Sequence, residues 1–233
     1  MAQQAGVSRA RLRTPKAAAV AGVIFSILLI AIFWLLRSSL PADPMQPGTW
    51  LAGNTAPATL ALNLIPFAGI AFLWFIGVLR DRLGQLEDRF FATVFFGSSL
   101  LFIGLLFVAA TLVGALVVLS QFHEPHDAMS ITTFRFGRAA AYILVNIYAI
   151  KMGAVFMIST STVIIYTRIV PRWIAVTGYA LALLLLIGSY GPNWSVLVLP
   201  VWVLLVSVHI LLDEFRRTGE PPTSAGPADQ TRP

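Results

Sequence analysis

A single lysine, Lys151, interrupts an apolar and otherwise uncharged stretch at 139–166. At ~1.5 Å per residue along a helix, it lies roughly 20 and 25 Å from Arg138 and Arg168. A lysine stem cannot reach water over that distance, and a charge deep in a bilayer costs from about 2.5 to more than 10 kcal/mol. We therefore expect Lys151 to face a bundle interior or a hydrated cavity. There it would bind backbone carbonyls and water, lose its charge, or meet a carboxylate of a ligand or partner.

Four other polar residues are candidates to share an interior with Lys151. Tyr148 and Thr162 lie on the same face at 100° per residue, and Asn146 lies on the same predicted helix. Asn63 lies near a proline in another apolar stretch, where the proline frees a backbone carbonyl. These five residues predict the polar lining of a small carrier or channel. The alternative is structural, because hydroxyls and amides in membrane helices commonly bond their own or a neighbouring helix.

A loop between apolar stretches holds four potential metal-ligand residues within five positions, namely His123, Glu124, His126 and Asp127. Imidazole and carboxylate groups suit zinc and similar cations. Pro125 prevents the helical register of a His-Glu-x-x-His site, and ion pairs with nearby arginines would also explain the two acids. The chain has no cysteine, no phosphate-binding glycine loop and no nucleophile elbow. We therefore expect no cofactor, and a loop metal site is the weakest of the candidates.

The elements that must position these residues are apolar stretches of the length that crosses a ~30 Å hydrocarbon core. The chain is 58% hydrophobic and 11% charged, whereas soluble domains carry roughly 25% charged residues. The six stretches are 17–36, 59–79, 91–119, 139–166, 173–189 and 194–212. Backbone amides in hydrocarbon must be satisfied within their own segment, and no dyad alternation indicates a barrel. The sequence therefore predicts an all-α, polytopic transmembrane helix bundle with six spans.

Basic residues predict the orientation of the spans. Of the 16 Lys and Arg residues, twelve lie in the tails and alternate loops that would share one side. Only Arg37, Arg135 and Arg138 lie on the other side. Because Lys and Arg are enriched in cytoplasmic segments, both termini are predicted to be cytoplasmic, in a multi-pass protein of the cell membrane. The charge of +6 is thus a topology signal, and no nucleic acid partner is expected.

The tails 1–16 and 213–233 are predicted to be disordered, since they are polar and carry no apolar periodicity. A cleaved signal peptide is the alternative for the first stretch, but 20 residues exceed the roughly 7–15 of a signal core. Small residues on the third stretch predict close helix packing, namely Gly97, Gly104, Ala110 and Gly114.

The segment 167–173, followed by Gly178 and Tyr179, resembles a junction in small six-span bacterial integral membrane proteins of unknown function. There a short Pro-Arg-Trp turn also leads into a glycine-bearing helix. The connection 80–90, with its alternating Arg, Asp and Glu, is similar to their first cytoplasmic loop. The resemblance implies a six-span fold in the bacterial inner membrane, but no activity and no catalytic residue.

Three functions remain compatible with these features. The first is a non-enzymatic integral membrane protein that acts by helix packing or partner binding, with the bilayer and a second copy or another membrane protein as partners. This hypothesis predicts that the small-residue face of the third stretch is exposed in the isolated chain. The second is the carrier or channel around Lys151, and the third is a membrane enzyme with a metal site in the third loop.

Overall fold

The computed structural model describes residues 2–39, 55–83, 89–122, 131–167, 170–188 and 194–218, which contain helices and no strand. The helical elements are α1 (Ala2–Ser39), α2 (Ala56–Leu83), α3 (Arg89–Phe122), α4 (Ile131–Ile143), a π-helical segment (Leu144–Ala149), α5 (Ile150–Thr167), α6 (Arg172–Ile187) and α7 (Ser195–Thr218). Because α4, the π-helical segment and α5 are continuous, the described residues form six helices.

Five of these helices are long and apolar enough to cross a membrane, which agrees with the predicted all-α bundle. Their apolar parts are Lys16–Ser39, Ala56–Leu79, Thr93–Ser120, Thr132–Tyr166 and Ser195–Asp213. The predicted fifth span is the shorter helix α6, whose 16 residues cover only about 24 Å against a ~30 Å core. The described helices therefore include five candidate spans and one shorter apolar helix.

Two helices extend into segments for which the sequence predicts disorder. Helix α1 begins at Ala2, within the basic leader, and α7 continues to Thr218. Starting a helix is the unfavourable step, and adding residues to an existing apolar helix is not. Leader residues such as Ala, Gln and Arg are good helix formers, whereas Pro15 removes one backbone hydrogen bond and opposes extension. Residues 219–233 lie outside the described part of the chain.

The first and last helices pack against each other, and α1 also packs along α2. The ammonium of Lys16 lies 5.7 Å from the centre of the Phe215 ring, so the start of the apolar part of α1 and the end of α7 meet. We call this the Lys16 end of the bundle and the opposite end the Arg37 end.

Four phenylalanines from four helices meet at one level of the bundle and are called here the aromatic layer. The Phe72 ring of α2 lies 4.5 Å from Phe25 of α1, 5.5 Å from Phe102 of α3 and 5.1 Å from Phe156 of α5. These are separations at which aromatic pairs attract each other. Because each helix contributes one ring, residue positions along the four helices can be counted from a common level.

Helix α6 is held against α5 and α7 by small residues and one hydrogen bond. A Cβ atom on Gly178 would contact Ser161 Oγ of α5 and the Trp202 ring of α7. The Trp202 Nε1–H donates to the carbonyl oxygen of Ile174, at 3.2 Å, within the bundle. Close backbone approach at glycine and hydrogen bonds between helices are the usual ways in which membrane helices associate.

Candidate functional site

A cavity of about 490 Å³ lies between α1, α2, α3, α4 and the first turn of α7. Its walls are mainly aliphatic and aromatic, with Leu29, Ile65, Ile103, Leu106 and Val113 among the lining residues. The volume falls within the roughly 300–1,000 Å³ of small-molecule pockets. Such an apolar cavity offers ordered water few polar partners, so it is suited to an apolar ligand.

The cavity extends from the aromatic layer toward the Arg37 end of the bundle. Phe25, which belongs to that layer, lines its inner part, and Arg37 lines its outer part. The two residues are separated by twelve positions on α1, or about 18 Å along the helix axis. The cavity is therefore elongated and parallel to the helices.

Polar side chains are concentrated at the Arg37 end of the cavity. Arg37 lies in the last turn of α1, where the partial negative charge of the helix terminus favours a cation. Arg138 of α4 also lines the cavity and is only 8% exposed. Tyr142 and Asn146 follow on the same wall, and the Asn146 amide donates to the Tyr142 carbonyl oxygen at 3.1 Å. The cavity thus has an apolar inner part and a cationic outer end.

The π-helical segment forms part of the cavity wall, because Val145 and Asn146 lie within it and line the cavity. A π-helical turn bonds each amide to the fifth preceding carbonyl and is widened relative to an α-helical turn. Such segments occur frequently at functional sites. Its presence here changes the rotation of α5 relative to α4, so side chains on the two sides of the segment no longer follow one α-helical period.

The structure does not bring the five predicted polar residues together. Only Asn146 lines the cavity. Tyr148 is 54% exposed, Asn63 is also exposed, and Lys151 is half-buried. The Thr162 hydroxyl instead lies 2.7 Å from the Tyr179 hydroxyl of α6, which is the inter-helix bonding of the structural alternative.

The depth of Lys151 in the bundle can be counted from the aromatic layer. Lys151 precedes Phe156 of the aromatic layer by five residues, or about 7.5 Å along α5. Arg37 lies about 18 Å from the same layer on α1. The level of Lys151 is therefore about 10 Å from that of Arg37 on α1, whereas Arg138 lies 13 positions, or about 20 Å, before Lys151 on its own continuous helix. Long basic side chains at such a depth can extend toward the interface.

The predicted metal ligands His123, Glu124, His126 and Asp127 lie outside the described residues. Within the residues that the structure describes, no group of three His, Cys, Asp or Glu side chains could hold a metal ion. The loop metal site therefore stays a prediction from sequence.

The small residues of α3 divide between two faces. Among the described residues, no heavy atom lies within 4 Å of a Cβ atom built on Gly97 or Gly104, so both glycines face outward from this part of the chain. One on Gly114 would lie 3.7 Å from Leu62 of α2, and Ala110 lines the cavity. The exposed small-residue face that partner binding predicts is thus present at Gly97 and Gly104.

Sequence reasoning assigned Arg37 and Arg138 to topology and loop ion pairs and missed their common position at the cavity. The sequence did contain one signal for them. Both are basic residues on the predicted non-cytoplasmic side, where this chain has only three. In comparisons with known proteins, no family model, no curated protein and no solved structure matches this chain. The described helices are compatible with an integral membrane protein, and their number and apolar length indicate a multi-pass one.

Proposed function

We propose that this protein is a non-enzymatic integral membrane protein that binds one membrane amphiphile, with the apolar tail of that molecule in the cavity. The observation that carries the proposal is the elongated cavity of about 490 Å³, lined mainly by apolar side chains. In a bilayer, the apolar solute present at the highest concentration around such a cavity is a lipid tail. Moving a tail from water into the cavity gains about 0.8 kcal/mol per CH₂ group. Moving it from the surrounding lipid gains only the difference in van der Waals packing contacts.

The dimensions of the bundle support a tail from one leaflet. Lys16 and Arg37 are separated by 21 positions on α1, or about 31 Å, which matches a ~30 Å hydrocarbon core. The aromatic layer lies near the middle of this distance. From the layer to Arg37 the cavity extends about 18 Å, close to the ~15 Å hydrocarbon thickness of a single leaflet.

We propose the topology of six crossings with both termini in the cytoplasm of a cell. An even number of crossings returns the chain to its starting side, and the contact between Lys16 and Phe215 supports this arrangement. The twelve basic residues on the side of the termini assign that side to the cytoplasm. The cavity then opens toward the opposite leaflet.

Filling the cavity is expected to remove the bound amphiphile. Ala110 lines the cavity on α3, so Ala110→Phe places a ring in the space of the tail. Native mass spectrometry of the delipidated protein, titrated with 1-palmitoyl-2-oleoyl phosphatidylcholine, measures the fraction of chains that retain one lipid. We expect one retained lipid for the unaltered protein and at least tenfold weaker retention for the variant, which corresponds to about 1.4 kcal/mol.

The matched control is Ala115→Phe, an exposed position on the same helix that does not line the cavity. It adds the same ring to the lipid-facing surface and is expected to retain lipid as the unaltered protein does. If the unaltered protein retains no lipid, or if the Ala110 and Ala115 variants retain it equally, the proposed function is wrong.

A second function, self-association, is favoured by the open face of α3. Gly97 and Gly104 are seven positions apart and therefore lie on one face, and no heavy atom of the described residues lies within 4 Å of their Cβ positions. The exposed side chains of Leu101 and Val108 alternate with them. On this uncharged face, the glycines form grooves and the larger side chains form ridges. The ridges of one copy can therefore pack into the grooves of a second copy. We propose that a second copy of the chain packs there, since small residues allow close helix approach in lipid.

Gly104→Leu is expected to prevent this association, because the larger side chain fills the groove that the partner helix would enter. Energy transfer between donor- and acceptor-labelled chains in phosphatidylcholine vesicles measures the dissociation constant, which should rise at least tenfold. Gly77→Leu is the control, since Gly77 of α2 is also open but lies on another helix. Absence of energy transfer in the unaltered protein, or an unchanged constant in the Gly104 variant, would contradict self-association through α3.

A further inference from the structure

We infer that the bound amphiphile is an anionic phospholipid, whose phosphate lies between Arg37 and Arg138 while one acyl chain extends toward the aromatic layer. The inference rests on the proposed function, because it assigns the chemical class of the molecule that the cavity binds. It locates recognition of the headgroup at the Arg37 end and recognition of the tail at the apolar inner part.

The charge at the outer end of the cavity favours an anion. Arg37 and Arg138 both line it. A guanidinium presents its N–H groups in a planar fork that matches two oxygens of one phosphate. Because Arg138 is 8% exposed, its field is screened by water less than that of a surface arginine.

The position of these arginines is not explained by membrane topology. The positive-inside bias depletes basic residues on the side where this chain has only Arg37, Arg135 and Arg138. Two of these three line a single cavity. The third, Arg135, lies one helical turn before Arg138, and its Nε is buried without a hydrogen-bond partner among the described residues. Arg135 itself is not among the lining residues, so two of the three basic residues of this side share the cavity.

The aromatic residues at the same end fit a boundary between headgroup and tail. Trp34, Tyr142 and Trp194 line the cavity together with the arginines. Tryptophan and tyrosine prefer the interface, where an apolar ring and one polar group can both be accommodated. Along the cavity, the lining changes from cationic through amphipathic to apolar. This order matches the phosphate, the interfacial region and the acyl chain of a phospholipid.

The test compares two lipids with identical chains, 1-palmitoyl-2-oleoyl phosphatidylglycerol and phosphatidylcholine, by native mass spectrometry of the full-length protein. Both lipids carry the phosphate, but phosphatidylcholine adds a cationic choline that the two arginines repel. We therefore expect the phosphatidylglycerol to bind about tenfold more tightly. Arg37→Gln should reduce this preference at least threefold and weaken the binding of both lipids, because both present a phosphate to Arg37. Arg37 is exposed, so its replacement does not disturb the core, whereas replacement of the buried Arg138 can unfold the bundle.

The control variant is Arg216→Gln, an exposed arginine at the Lys16 end of the bundle, which should keep the full preference. Inorganic phosphate is added as a competitor without a tail, and we expect no displacement of the lipid at tenfold excess. Displacement by phosphate would identify a site for a free anion and overturn the inference. Equal binding of both lipids would overturn it as well while leaving the proposed function intact, and binding of neither lipid would contradict the proposed function itself.

Discussion

Phe72→Ala is expected to lower the free energy of unfolding by about 2–4 kcal/mol. Phe72 is fully buried, and its ring contacts Phe25, Phe102 and Phe156 in the aromatic layer. Truncation removes these contacts and leaves a cavity where four helices meet. In soluble proteins such a change costs about 3–5 kcal/mol. The value is smaller here, because separated helices expose the ring to lipid and the transfer from water does not contribute.

The measurement is reversible unfolding in mixed micelles of a mild detergent and dodecyl sulfate, followed by circular dichroism. The control is Phe67→Ala on the same helix, since Phe67 is 61% exposed and its truncation should change the free energy of unfolding by less than about 0.5 kcal/mol. If the two variants are equally stable, the aromatic layer does not hold the helices together.

Gly178→Ala is expected to destabilise the protein by about 1–3 kcal/mol, the usual cost of overpacking. The added methyl group would contact Ser161 Oγ and lie 2.7 Å from a carbon of the Trp202 ring. The Trp202 ring cannot withdraw freely, because it is buried and its Nε1–H bonds the carbonyl oxygen of Ile174. The substitution should therefore separate α6 from α7, which is visible as a lower midpoint of thermal unfolding.

Gly77→Ala is the matched control for this substitution. A Cβ atom on Gly77 would meet no heavy atom within 4 Å, and exchange of glycine for alanine favours a helix by up to about 1 kcal/mol. The difference between the two midpoints isolates the steric effect at Gly178. Equal midpoints would mean that α6 is not packed as closely against its neighbours as the structure has it.

The helices themselves could be predicted from sequence because their formation is local. The predicted stretch 17–36 lies within Lys16–Ser39, and 91–119 nearly coincides with Thr93–Ser120. In hydrocarbon, the backbone of each span must satisfy its own hydrogen bonds, so a long apolar stretch is sufficient to specify a helix. Helix α6 shows the limit of this reasoning. The predicted stretch 173–189 has nearly the length of the 16-residue helix, but a stretch this short specifies a helix without specifying that the helix crosses the core.

The candidate site could not be predicted in the same way. Periodicity describes which side chains share a face of one ideal helix, and the π-helical segment between Tyr142 and Lys151 breaks that period. Periodicity also does not indicate which face of a helix packs against which neighbouring helix. The polar set around Lys151 was therefore predicted as one interior, whereas Thr162 bonds Tyr179 and Tyr148 is exposed.

The amino-acid sequence by itself determined that this chain is a bundle of apolar helices suited to a membrane, because the lengths and charges of its segments are local quantities. Only the tertiary structure decided that Arg37 and Arg138 lie at one end of an elongated cavity that reaches Phe25. These residues are far apart in the sequence, and no spacing rule connects them. Their meeting depends on which helices pack together and on how each helix is rotated. Lipid is as apolar as the helix surfaces, so small differences in side-chain packing determine both.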